Sequence, residues 1–330
     1  MASPEQRQLA AIVLAAGRST RIKSDLPKVL HELCGRPMLA YVLNACRLAG
    51  VDRLVVVVGF GKELVMERFS SETELTWVEQ TEQRGTGHAV VCCRDALRNF
   101  DGTVLVIAGD MPLVQRRTLS ELVDLRDETG DAATIATTEL DDPAGYGRIL
   151  RDASGRLEGI VEDRDCSPEQ RAIHEVNPSY YCFDAKRLFA ALDKVQPSAS
   201  KGEYYLTDAI RILRSQGHGV SAGVQVPPED AMGINSRIDL AVVGRAMQDR
   251  LQSALMEGGV TIVDPDNTWI EADAAVGRDS VILPFTFVGG GATIGSGCRI
   301  GPFAWIAAGD VIGDRESVSG MVGNREVRAS

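Results

Sequence analysis

An excess of positive charge, long apolar runs and paired cysteine motifs are all missing from this chain of 330 residues. With 46 acidic residues against 35 lysines and arginines, its formal net charge is −11, which argues against a nucleic-acid surface, since that needs a clustered basic footprint. An anionic substrate must then be met by local cations. Apolar runs such as residues 54–58 and 104–108 fall far short of a membrane span, and the opening Met-Ala-Ser-Pro-Glu-Gln-Arg lacks the apolar core of a signal peptide. A cytoplasmic protein with no membrane partner is expected. The seven cysteines (Cys34, Cys46, Cys92, Cys93, Cys166, Cys182 and Cys298) are odd in number and show no Cys-x-x-Cys spacing, so neither a zinc site nor a disulfide framework is supported. Reduced, mostly buried thiols are expected. Four scattered histidines, His31, His88, His174 and His218, stand at no metal-ligand spacing. There is no Walker A loop and no G-x-G-x-x-G turn.

What is present begins with an apolar run, residues 9–14, that reads as a buried strand. It releases the chain into Ala15-Ala16-Gly17, a small-residue turn whose backbone N–H groups can face an anion, and two cations follow at Arg21 and Lys28. A nucleoside triphosphate fits such a place. A second apolar run, residues 104–107, ends in Ala-Gly-Asp-Met-Pro-Leu, which puts Asp110 at a strand's carboxyl end. A carboxylate there, close to polyphosphate, suits Mg²⁺, which takes a few carboxylates together with phosphate oxygens and water.

Leu14-Ala15-Ala16-Gly17-x-x-Thr20-Arg21 followed by Leu26-Pro27-Lys28 resembles the signature of sugar-nucleotide pyrophosphorylases. These enzymes join a nucleoside triphosphate to a sugar 1-phosphate and release pyrophosphate. Residues 24–31, Ser-Asp-Leu-Pro-Lys-Val-Leu-His, resemble more closely the N-acetylglucosamine-1-phosphate uridylyltransferase domain of a bacterial bifunctional enzyme. The resemblance implies UTP and N-acetylglucosamine 1-phosphate as substrates and Mg²⁺ as cofactor. It assigns Leu14, Ala15, Ala16, Gly17 and Lys28 to the nucleotide, with Arg21 and Lys28 as catalytic cations. Lys28, which follows a turn, is expected to be free to reach the phosphates.

Gln80 to Ala89, Gln-Thr-Glu-Gln-Arg-Gly-Thr-Gly-His-Ala, resembles the family's base-recognition loop, with Gln80 as reader and Gly85 and Thr86 in backbone contact. An amide suits the task because it can donate and accept at once. On the sugar side the resemblance implies Ala108, Gly109, Gly147, Glu162, Asn177, Tyr205, Thr207 and Asn235, with Asn235 joining Asp110 on the metal. Two positions depart from the family pattern: Asn177-Pro178-Ser179, where proline removes a backbone donor, and Ala108, where some members carry tyrosine. Attack by a phosphate oxygen on the α-phosphorus needs no general base, because the nucleophile is already an anion. Positioning and charge neutralisation then carry the reaction. The rival readings are a pyrophosphorylase for another sugar 1-phosphate or nucleotide and a catalytically silent regulatory or scaffold subunit.

The alternation of apolar runs with amphipathic stretches predicts an α/β domain, Rossmann-like with a mostly parallel sheet, over residues 1–235, which by resemblance is the nucleotidyltransferase domain. Residues 236–259 follow as a connecting helical arm. Its apolar stripe is Leu240, Val243, Met247, Leu251 and Leu255, and Gly258-Gly259 is its stop. From residue 260, Ile270, Val276, Ile282, Val288, Ile294, Ile300, Ile306, Ile312 and Val318 recur with a hexapeptide period. That is the signature of a parallel β-helix with small residues such as Gly277, Gly289 and Gly295 at its corners. By resemblance the β-helix is left-handed, has three hexads per coil and assembles as a homotrimer. It is short, with residues 321–330 expected as a loose tail and no acetyl-transfer site.

Overall fold

Buried apolar runs flanked by helices build the first unit of the chain. In the computed structural model, which describes residues 8–18, 20–198 and 202–322, the chain divides into two units. One comprises residues 1–31 and 38–237, the other residues 32–37 and 238–330. A small hairpin, β2 (Glu32–Leu33) and β3 (Arg36–Pro37), thus leaves the first unit to join the second.

The first unit's ten-stranded sheet contains β1 (Leu9–Leu14), β4 (Arg53–Val58), β5 (Leu75–Glu79), β6 (Thr103–Ala108), β7 (Ala133–Glu139), β8 (Gly147–Arg151), β9 (Leu157–Val161), β10 (Glu175–Asn177), β11 (Tyr180–Asp184) and β12 (Val220–Gln225). Its order is β5-β4-β1-β6-β11-β7-β10-β8-β9, with β12 beside β7. From β5 to β6 the strands are parallel. Beyond β6, β11 enters antiparallel, and β10, β8 and β9 continue in that sense, while β12 runs parallel to β7. The central strands carry apolar side chains on both faces, as Ala10 to Val13, Val55 to Val57 and Val104 to Ile107 are fully buried, the pattern expected of strands covered on two sides. The chain leaves β1 for β4 on one flank and returns through β6 on the other. That reversal opens a crevice at the carboxyl ends of β1 and β6.

In the second unit the hexad period becomes three narrow parallel sheets. One stacks β13 (Thr261–Ile262), β16 (Val281–Ile282), β19 (Arg299–Ile300) and β22 (Ser317–Val318); another β14 (Thr268–Ile270), β17 (Thr286–Val288), β20 (Trp305–Ile306) and β23 (Met321–Val322); the third β15 (Ala275–Val276), β18 (Thr293–Ile294) and β21 (Val311–Ile312). Ile270 pairs with Val288 and Val288 with Ile306, so one coil is three hexads. The aliphatics fill the prism, with Ile282, Val288, Ile300 and Ile306 fully buried. At Gly277 a Cβ would stand 2.5 Å from Ser296 N, and at Gly295 2.6 Å from Asp314 N. The next coil's backbone passes too close for any side chain there. Met321–Val322 is not loose tail but a strand on β20; the rest of that expected tail lies outside the described residues.

The arm is one helix, Arg237–Glu257, and its buried face differs from the expected aliphatic stripe. Val243 and Met247 are buried, but Leu240, Leu251 and Leu255 are only partly covered, and Gln248 and Gln252 are buried instead. The reason lies in β14, which starts its sheet and has no preceding coil on one side. Gln248 donates to Ile270 O at 2.6 Å and accepts from Ile270 N at 3.0 Å, and Gln252 donates to Thr268 O at 2.9 Å. Two amide side chains therefore pair with the free strand edge as another strand would, which leaves no unpaired backbone there. Cys34, carried by the hairpin, accepts from Gln248 at 3.2 Å, and its own carbonyl accepts from Ala272 N.

All seven cysteines are free, and only Cys92 is more than slightly exposed. Burial pushes the Cys46 thiol up to about 12. No described helix is long and apolar enough to cross a membrane.

Candidate active site at the carboxyl ends of the central strands

The turn after β1 is held from both sides. Ala15 N donates to Val57 O at 2.8 Å and Gly109 N donates to Leu14 O at 2.9 Å, so the exits of β4, β1 and β6 are tied together. Gln83 Nε2 donates to Ala16 O at 2.9 Å from the other side of the crevice. Gly17 faces open space, since a Cβ added there would meet nothing within 4 Å. The protein itself does not require glycine at that point; close approach by a ligand would.

This turn borders a cavity of about 360 Å³. Leu14, Ala15, Ala16, Gly17, Arg21, Lys28, Gln80, Gly85, Thr86, Ala108, Asp110 and Asn235 all line it, so one wall gathers the nucleotide, cation and metal residues expected from sequence. Thr20, Gln83 and Glu203 line it too and were not singled out. Thr20 and Gln83 lie inside motifs already quoted and Glu203 stands two residues before Tyr205, but only the folded chain shows which way each faces.

Lys28 is not a free surface cation. It starts a short 3-10 turn, Lys28–Leu30, after Pro27, and its side chain is only 9% exposed. Its ammonium contacts the Asp110 carboxylate and donates to Asn235 Oδ1 at 2.8 Å. Ile234 N donates to Asp110 O at 3.0 Å, which fixes the Asn235 segment beside the end of β6. A carboxylate oxygen and an amide oxygen therefore converge on one cation-sized point. Among the described residues no cluster of three or more His, Cys, Asp or Glu could hold a metal alone. These two hard oxygens fit a Mg²⁺-class ion only if water and substrate phosphates complete its shell, which is the usual Mg²⁺ arrangement.

The base loop is positioned by the segment before the Leu206–Ser215 helix. Tyr204 N donates to Arg84 O and Gly87 N to Tyr204 O, each at 2.8 Å. Gly85 has φ +99°, and a Cβ there would lie 2.5 Å from Tyr204 O, so only glycine fits. Gln80 is buried at 5% exposure. Its Nε2 lies 3.0 Å from Gly85 O and 3.1 Å from His88 Nδ1. The amide expected to donate and accept at once has both of its protons directed inward, and Oε1 alone remains for a ligand.

The expected sugar residues form a separate group. Thr207 Oγ1 donates to Glu162 Oε1 at 2.8 Å. Burial raises the Glu162 carboxyl above the ordinary glutamate value; Asp165, Asp208 and Glu203 add to the rise, and the Thr207 hydroxyl opposes it. Asn177 is buried, donating to Tyr181 OH at 2.6 Å and accepting from Ser179 N at 3.0 Å. Its amide is engaged within the fold. Gly147 pairs with Asn177 across β8 and β10, and Tyr205 stands at the start of the Leu206–Ser215 helix. Gly147, Glu162, Asn177, Tyr205 and Thr207, like the buried Gly109, do not line the nucleotide cavity; Ala108 and Asn235 do.

A mixed sheet with an anion-facing turn, two cations and a cation-sized oxygen pair at its switch point defines a nucleotidyltransferase class of site. Residues 11–195 match the MobA-like NTP transferase domain, and the chain belongs to that family. Residues 273–308 match the bacterial transferase hexapeptide (six repeats). The chain is similar to the bifunctional protein GlmU of Pelotomaculum thermopropionicum, 46% identical over 84% of this chain and 60% of that protein. It is likewise similar to those of Clostridium acetobutylicum, at 44% over 83% and 60%, and Trichlorobacter lovleyi, at 44% over 86% and 63%. It thus spans about three-fifths of the length of these curated relatives. The crystal structure of UDP-glucose pyrophosphorylase complexed with UDP-glucose shares its fold, with a TM-score of 0.60 at 17% identity over 74% of this chain and 100% of that one.

Proposed function

We propose that this protein transfers a uridylyl group from UTP to N-acetylglucosamine 1-phosphate, giving UDP-N-acetylglucosamine and pyrophosphate. The observation that carries the reading is the single cavity in which the Gly17 turn, Gln80, Arg21 and the Lys28, Asp110 and Asn235 cluster meet. The similarity to GlmU proteins supports this substrate pair. A phosphate oxygen of the sugar substrate attacks the α-phosphorus, and pyrophosphate leaves in line. Arg21 and Lys28 neutralise the charge that accumulates, and the turn's backbone N–H groups orient the triphosphate. Asp110 and Asn235 would hold Mg²⁺, which supplies further charge neutralisation when bound. Gln80 presents an acceptor to the base. Glu162 and Thr207, whose hydroxyl proton is given to the carboxylate, offer acceptors suited to hexose hydroxyls.

A different sugar 1-phosphate is the second reading, favoured by one observation: the Asn177 amide is turned to Tyr181 and Ser179. The intact cations and carboxylate speak against a silent scaffold. The β-helix serves assembly, as a homotrimer in the cytoplasm. Supporting this is an outward aromatic ladder on β14, β17 and β20, where Trp269 and Phe287 are register partners and Phe287 stacks on Trp305 at 4.2 Å. Beside it Phe285 stacks on Phe303 at 5.1 Å, with Phe303 68% exposed. Pyrophosphate release with UTP and Mg²⁺ across a panel of sugar 1-phosphates tests the activity. Release with N-acetylglucosamine 1-phosphate no faster than with glucose 1-phosphate overturns the sugar assignment. Light scattering that finds a monomer overturns the trimer.

A further inference from the structure

We infer that His88 fixes the direction in which Gln80 meets the base, so that the cavity selects a pyrimidine carrying a proton at N3 over one carrying a lone pair there. The inference rests on the nucleotide reading above and adds a positioning residue to it. Gln80 Nε2 stands between the Gly85 carbonyl at 3.0 Å and His88 Nδ1 at 3.1 Å. A carbonyl oxygen can only accept, so the nitrogen end of the amide must face Gly85. The second amide proton then points at His88, whose Nδ1 must offer its lone pair, which puts the ring proton on Nε2, the nitrogen 4.0 Å from Cys92 Sγ. Both amide donors are committed, and among the described residues no donor meets Oε1. Gln80 therefore confronts the base as an acceptor only.

His88 itself lines no part of the nucleotide cavity. It opens instead on a neighbouring crevice of about 340 Å³ with Arg84, Val91, Asp193 and Tyr204. Its influence on a base must pass through Gln80. Gly85 by itself holds one amide proton and leaves the other able to swing toward the ligand, where it would welcome the N3 lone pair of cytosine. With His88 in place, uracil N3–H meets an acceptor and cytosine N3 meets a second lone pair.

The test compares UTP with CTP in the full-length wild type, His88→Ala and His88→Asn. Asparagine is the conservative variant, because its Oδ1 can stand where Nδ1 stood and accept the same proton. His88→Ala should raise KM for UTP about tenfold while kcat changes less than about twofold, and should narrow the preference for UTP over CTP by about tenfold or more, since discrimination here depends on a buried polar group being met or unmet. His88→Asn should recover most of both. An unchanged KM and an unchanged UTP-to-CTP ratio in His88→Ala overturn the inference. So does an asparagine variant as impaired as the alanine one, because a purely steric role would then suffice. If the wild type turns over no nucleoside triphosphate, the nucleotidyl-transfer reading fails and this inference with it. If it turns over UTP and the alanine variant discriminates normally, only this inference fails.

Discussion

Lys28 and Asp110, 82 positions apart in sequence, are joined as an ion pair at the carboxyl end of β6, with the Asn235 amide oxygen 2.8 Å from the same ammonium. The lysine thus occupies the point on which the two metal-suited oxygens converge. A cation and its counter-charge are held together at the place where triphosphate charge would have to be neutralised.

Asp110→Asn keeps the shape of the side chain and removes its charge. Turnover should fall at least about a hundredfold, as expected when the charge-neutralising ion is weakly held. Part of the loss should return at high Mg²⁺. Rates measured across a Mg²⁺ titration decide it, and near-normal activity at limiting Mg²⁺ would remove Asp110 from the metal site.

Lys28→Ala should lower kcat by a comparable factor. It should also cost about 1–2 kcal/mol of stability, because the lysine is 9% exposed and its loss leaves a carboxylate only 24% exposed without its partner. Adding Asp110→Asn to this variant should then cost less than the sum of the two single changes. Denaturant unfolding of the two singles and the double checks this. Additive losses would show that the pair is not coupled.

Much of the site was legible because strand exits are written locally. The apolar run into Ala15-Ala16-Gly17 and the run ending at Asp110 both read as buried strands, and both lie in the crevice. The hexads were equally plain, since each aliphatic answers to one corner of one coil. What failed to show depends on partners distant in sequence. Lys28 reads as a cation free to reach the phosphates until Asp110 and Asn235 close on it, and Gln248 and Gln252 lie outside the expected apolar stripe until β14 offers them an unpaired edge. Val322 falls short of the next hexad position, so the six-residue period does not reach it, yet it pairs with Ile306. The antiparallel half of the sheet went unread because alternating side chains mark a strand without marking its direction.

Glu162→Gln should alter the pH dependence of stability. The carboxyl is raised in the folded state, so between the ordinary glutamate value and its raised value the native protein binds more protons than the unfolded chain. Stability contributed by this group is therefore complete below that window and declines as pH rises through it. Glutamine cannot ionise, so the variant should lose that decline and be at least as stable as wild type at neutral pH. Its KM for the sugar 1-phosphate should rise roughly tenfold, as an acceptor for a hydroxyl is weakened. Unfolding midpoints from pH 4 to 8 supply the check, and a variant whose midpoint falls with pH as steeply as wild type would exclude Glu162 as the group responsible.

Gln248→Leu should strike the β-helix at its first coil. Leucine matches the helix's apolar neighbours, but it strips both Ile270 N–H and Ile270 C=O of their partners, and Gln252 loses the Gln248 Oε1 that it meets at 3.0 Å. Two buried backbone groups left unmet cost roughly 2–4 kcal/mol together, which outweighs the gain from burying leucine. Gln248→Glu is the sharper comparison. A carboxylate there still accepts from Ile270 N–H but turns a second acceptor toward Ile270 C=O, so it should destabilise most when ionised and recover as acid returns a proton to donate. Hydrogen exchange at the Ile270 amide should accelerate in both variants. Every residue lining the nucleotide cavity precedes Arg237, so KM for UTP should hold within about twofold. Unchanged protection of Ile270 in Gln248→Leu would mean that the edge of β14 is covered by something other than the glutamines.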